Sequence, residues 1–127
     1  KNHALILSKN GAPFKVAVAE VPKGKTILAN GNLYIIEIDE DKADPYFVKA
    51  FLESEKGIAL LKSITVGATI PNIGVEALKK IPIPQIPLEE QHALAARYLA
   101  KTDEIALLQR KLQKAYEELS HIYDNKE

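Results

Sequence analysis

The chain has 127 residues, of which 46% are hydrophobic and 27% charged; this suits one modest globular domain, or a small globule with an appendage. It holds no Cys, which excludes disulfide and thiolate chemistry, and no run of about 18 apolar residues, so no transmembrane helix is expected. Equal numbers of basic and acidic residues leave no net charge, which argues against nucleic-acid binding through bulk charge, yet residues 1–25 carry five lysines against Glu20 alone.

The first apolar run, within Lys1–Lys9, is too short for a signal peptide, and the lack of any Met, even at position 1, suggests a processed or trimmed piece of a longer chain. Ala4–Leu7 reads as a buried strand ended by the turn Ser8-Lys9-Asn10-Gly11. Residues 14–19 partly alternate and read as a second strand, residues 26–29 as a short third, and Leu33–Ile38, aromatic and β-branched, as the strongest. Frequent turns between them predict a small, mostly antiparallel sheet.

Asp44-Pro45 is a helix start, with Asp as cap and Pro at the first helical position. Tyr46, Phe47, Ala50, Phe51 and Leu52 give that helix an apolar face. Gly57 is expected to interrupt or kink it, after which Ile58, Leu60, Leu61 and Ile64 continue a second helical face. The glycines and proline of residues 65–74 read as a loop or short extended piece, and Val75–Lys80 as one or two helical turns. Ile81-Pro82-Ile83-Pro84-Gln85-Ile86-Pro87 cannot join a helix or a central strand, because three residues lack an amide donor. It is expected to be a rigid extended strap whose isoleucines bury against the globule.

From Leu88 to about Tyr123 neither Gly nor Pro occurs, and Glu89 and Glu90 fall where carboxylates favour a helix N-terminus. A straight helix of that length reaches about 50 Å. Leu94, Tyr98, Ile105, Leu108, Leu112, Ala115, Leu119 and Ile122 fall on alternating three- and four-residue steps, with Lys101 filling the gap, which is a heptad seam. One reading folds this helix onto its own domain. The stripe is longer than the remaining chain can cover, which favours pairing with a helix of another copy, of another protein, or of a part of the same protein outside this sequence. The fold class is therefore α+β: a small sheet with short helices over residues 1–87, then one long coiled-coil-type helix over residues 88–127.

Catalytic constellations are missing from the sequence. His3, His92 and His121 are far apart and none has a helical ligand partner, so no metal site is expected. The pairs Glu89-Glu90, Asp103-Glu104 and Glu117-Glu118 are neighbours that point different ways on a helix, unsuited to acid–base work. Asp44-Pro45-Tyr46-Phe47 lacks the second proline and the preceding glycine-rich loop of an amino-directed DNA methyltransferase, and a helix start accounts for it.

Several segments in order carry a resemblance. Gly67-Ala68-Thr69-Ile70-Pro71-Asn72-Ile73 is followed by Leu78-Lys79-Lys80-Ile81-Pro82-Ile83-Pro84, then by Ile86-Pro87-Leu88-Glu89-Glu90-Gln91 and the heptad helix. Upstream stand Leu5–Gly11, Asn32–Ile36 and Pro45-Tyr46-Phe47-Val48 with Phe51-Leu52. Together these resemble the end of a target recognition domain and the adjoining helix in specificity subunits of type I restriction-modification systems, over nearly the whole chain. Gln85 stands where that family often has Pro or Leu, and the residues that usually precede the first strand are not in this sequence.

The resemblance implies a non-catalytic, cytoplasmic role: a recognition domain reading half of a bipartite site in double-stranded DNA, and a spacer helix on which methyltransferase subunits dock. It implies no cofactor for this chain, with S-adenosylmethionine, Mg and ATP confined to partner subunits, and no membrane. Lys9, Asn10, Lys15, Lys23, Lys25, Lys62, Thr69 and Asn72 are the candidate DNA contacts, with Ser63 and Thr65 nearby. For Thr69 and Asn72, backbone capping in a tight loop is the alternative. Leu94, Tyr98, Ile105, Leu108, Leu112, Leu119 and Ile122 are the candidate pairing surface, for self-pairing or for another spacer helix. Two other readings stay open: the recognition tail of a fused N6-adenine methyltransferase, and an assembly module without DNA contact.

Overall fold

The computed structural model describes residues 2–8, 14–21, 33–66 and 72–124. Strands β1 (Asn2–Ser8), β2 (Val16–Val21) and β3 (Leu33–Glu37) form an antiparallel sheet in the order β2-β1-β3. These are the strands predicted around residues 4–7, 14–19 and 33–38; the one expected at 26–29 lies outside the described residues. Because β1 is central, its apolar run has neighbours on both sides, Leu5 facing Val18 on one strand and Ile36 on the other. Ala4, Leu5 and Leu7 are almost fully buried as a result.

Helix α1 (Pro45–Glu53) starts as the Asp-Pro pair predicts: one carboxylate oxygen of Asp44 accepts from the Tyr46 and Phe47 amides at 2.8 and 3.3 Å. Phe47, Val48 and Leu52 pack with Leu5 and Leu7 to make the core. The break before α2 (Glu55–Ser63) corrects the sequence expectation. It falls at Ser54, an extended residue whose hydroxyl accepts from the Gly57 amide at 3.1 Å and so caps α2. Gly57 is a buried residue inside α2, where a Cβ would stand 2.0 Å from the Phe51 carbonyl oxygen. It serves the close approach of two helices, not their interruption.

The loop expected at 65–74 contains a two-residue ladder, β4 (Thr65–Val66) against β5 (Asn72–Ile73), followed by the short α3 (Val75–Lys79). The Tyr34 hydroxyl donates to the Ile73 carbonyl at 2.8 Å and ties this ladder to β3. Residues 81–87 form no ladder, and Ile81, Ile83 and Ile86 pack against the core as the strap reading expects. The chain then enters α4 (Leu88–Ser120), 33 residues long.

Candidate nucleic-acid interface and pairing helix

The antiparallel order gives the sheet two unlike ends. At one, Ser8 meets Lys15: the Lys15 amide donates to the Ser8 hydroxyl at 2.9 Å and the Ser8 amide to the Lys15 carbonyl at 3.0 Å. Leu33 stands opposite Ser8 at this same end. At the other end sit Glu20, Glu37 and the turn Asp39–Asp41. There Glu40 holds the entry of β1, accepting from the His3 amide at 3.1 Å and standing 3.0 Å from its Nδ1.

Beside the first end lies an open depression of about 720 Å³. Phe14, Val16, Leu52, Ile58 and Leu61 give it apolar walls, and Lys15, Glu53 and Lys62 are its charged members. Glu53 is already neutralised by Lys49, so Lys15 and Lys62 leave a net positive surface there. The fold thus brings together two predicted DNA contacts far apart in sequence. Asn72 lies in β5, opposite Val66. Lys9, Asn10, Lys23, Lys25 and Thr69 lie outside the described residues; Ser63 and Thr65 donate instead to the Leu60 and Leu61 carbonyls.

Two joints fasten α4 to the globule. The first is Gln91, 3% exposed. Its carbonyl oxygen accepts from the Asp44 amide at 2.9 Å, and its amide nitrogen donates to the Ile86 and Lys42 carbonyls at 3.0 and 3.3 Å. Next to it, His92 Nδ1 lies 2.7 Å from the second carboxylate oxygen of Asp44. One capping aspartate therefore serves both α1 and the root of α4.

The second joint is Tyr98, whose hydroxyl donates to Glu53 at 2.5 Å and is also hydrogen-bonded by Lys49. Lys49 closes the triangle with a 2.6 Å bridge to Glu53 and sits 4.8 Å from the Tyr98 ring centre. Burial pulls the Lys49 ammonium down, but hydrogen bonds from it to Glu53 and Tyr98 outweigh this and hold it above its ordinary 10.5. Burial, helped by Glu53, raises the Tyr98 phenol above its ordinary 10.0. Since His92 meets the start of α1 and Tyr98 its end, α4 runs alongside α1 in the same sense.

Beyond Tyr98 the helix leaves the globule. Ile105, Leu108, Leu112, Leu119 and Ile122 are 47, 55, 55, 63 and 64% exposed, and Leu94 38%. The predicted seam is thus open along its outer half, while Tyr98 is spent on the helix's own globule. Heptad periodicity missed Gln91, Asp44, Lys49 and Glu53; the only local trace of this joint was the four-residue spacing of Lys49 and Glu53 on α1.

Among the described residues no helix is long and apolar enough to cross a membrane, and no cluster of His, Asp and Glu could hold a metal ion. No curated protein matches the chain. A family model does: residues 1–117 match the type I restriction modification DNA specificity domain, a non-catalytic family whose role is DNA recognition in restriction-modification systems, and the chain belongs to that family.

Proposed function

We propose that the globule, residues 1–87, reads one part of a double-stranded DNA site from the sheet end that carries Lys15 and Lys62, and that α4 is the spacer and docking platform of the assembly. The observation that carries this reading is the division of the molecule. A positively charged sheet end sits on a globule that is rigidly joined, through Gln91 and Tyr98, to a helix with an uncovered apolar seam.

Lysine ammonium groups suit phosphate oxygens and fix the position of the duplex. Amides and hydroxyls of the Asn10, Thr69 and Asn72 type suit base edges. The chain itself contributes no reaction. Methyl transfer from S-adenosylmethionine, and any step using Mg and ATP, belong to methyltransferase and other subunits docked on the helix. A cytoplasmic location follows from that role.

The test is binding of duplex DNA by the chain assembled with its methyltransferase subunits, followed by fluorescence anisotropy at several salt concentrations. Lys15→Glu with Lys62→Glu should weaken binding at least about tenfold and flatten the slope of log affinity against log salt by about two. An assembled complex that ignores DNA, or one indifferent to both substitutions, would falsify this reading of the site.

A further inference from the structure

We infer that the depression beside the Ser8–Lys15 end of the sheet reads thymine: Phe14, Val16 and Ile58 receive the C5 methyl groups of neighbouring A·T pairs in the major groove, while Lys15 and Lys62 hold phosphates on either side. This rests on the reading of that sheet end as the DNA surface and goes beyond it by naming the base and the residues that select it.

The chemical uniformity of the walls carries the inference. Among the described residues, the lining holds no amide side chain and no hydroxyl. Leu52 and Leu61, 4 and 3% exposed, are buried, and Ile58, at 39%, is the most exposed apolar side chain there. A carboxylate such as Glu53 can accept from the exocyclic amine of cytosine. Both oxygens of Glu53 are already engaged, however, one accepting from the Tyr98 hydroxyl at 2.5 Å and the other bridged by Lys49 at 2.6 Å. Of the groups that base pairs show in the major groove, the thymine methyl alone is apolar. The others are donors and acceptors, which an apolar wall strips of water without giving a hydrogen bond in return.

Charge selects the class of occupant. Each wall carries its own cation: Lys15 stands between Phe14 and Val16, and Lys62 lies one turn beyond Ile58 on α2. A duplex whose phosphates meet both lysines lays the groove between them over the apolar side chains. A small ligand fits less well, because such sites enclose most of their ligand and this depression is open. At about 720 Å³ it has room for more than one methyl, so A·T pairs in succession are expected.

Uracil is thymine without the C5 methyl, and replacing one by the other tests the inference. The chain assembled with its methyltransferase subunits first selects its site from a randomised duplex library. Each thymine of that site is then replaced singly by uracil, and affinity is measured by fluorescence anisotropy. Replacement at one or two neighbouring positions should weaken binding about fourfold each, the scale of one methyl removed from water. In Ile58→Ala that loss should shrink to about 1.5-fold or less at those positions and stay as it was at other thymines, whereas Ile58→Val should keep most of it. The ratio of thymine to uracil affinity is taken within each variant, so a general change in stability leaves it unmoved. A site indifferent to every uracil, or a loss that Ile58→Ala does not relieve, overturns the inference. So does a defect of Ile58→Ala in assembly with the methyltransferase subunits, which gives the walls to a protein. A complex that selects no duplex fails the DNA reading as well, whereas a lysine-dependent complex with a flat uracil scan fails this inference alone.

Discussion

Gln91 shows how one amide can orient a whole helix. A buried amide presents one acceptor and two donors, and here each has a backbone partner drawn from three different places: Asp44, Lys42 and Ile86. Leucine has similar bulk but leaves one backbone donor and two carbonyls unpaired. Glutamate keeps the acceptor but turns a carboxylate towards two carbonyls. Gln91→Leu should therefore cost about 2–4 kcal/mol, and Gln91→Glu a similar amount near neutral pH, measured by urea unfolding. Gly57 makes an opposite kind of demand. In an exposed helix Gly→Ala stabilises by about 1 kcal/mol. At Gly57 the new methyl meets the Phe51 carbonyl oxygen and the Leu52 Cα, at 2.0 and 2.7 Å, and backbone cannot step aside as a side chain can. Gly57→Ala should instead destabilise by about 2–3 kcal/mol, and a rise in stability would show that Gly57 is merely a poor helix former.

Between elements, the α1–α4 seam ends in the Lys49–Glu53–Tyr98 triangle, and its chemistry predicts behaviour at high pH. Lys49 is held above its ordinary 10.5, so the stability it contributes is complete below that value and is lost as pH rises through its folded one. Tyr98 is raised above 10.0, and its ionisation in the unfolded chain draws the equilibrium the same way. Unfolding followed by circular dichroism should show stability falling from about pH 10 upward, and falling less steeply in Tyr98→Phe/Lys49→Met; equal slopes would remove the triangle from the account. This triangle also marks a limit of sequence reading. A continuous apolar run located β1, partial alternation β2 and β-branched content β3, while helical and heptad spacing located α1 and α4, because burial leaves its mark in the residues themselves. Tyr98 fits the heptad seam equally well, but periodicity cannot say whether an apolar face meets a neighbour or its own globule. Gly57 read as a break because glycine's two uses, freedom and closeness, look alike in one dimension. That Lys15 and Lys62 line one depression is set by how α1 packs against both α2 and β2, and no local spacing encodes it.

At the scale of the whole molecule, the proposed pairing of α4 with another spacer helix would turn one recognition surface into two. Two surfaces held together in this way would read two half-sites. Each globule is joined to its helix at two points, so the second half-site is met at high effective concentration once the first is bound. A duplex with both half-sites at the matching spacing should bind about a hundredfold tighter than one with a single half-site. Leu108→Asp with Leu112→Asp separates the two contributions. Both side chains are 55% exposed and touch nothing in the globule's core, so the fold of the single chain should keep its stability within about 0.5 kcal/mol. The pair, however, loses apolar side chains from its seam. Affinity for the single half-site should stay as it was, and the advantage of the double site should vanish. An advantage that survived this substitution would mean that the two heads are held together by some surface other than α4.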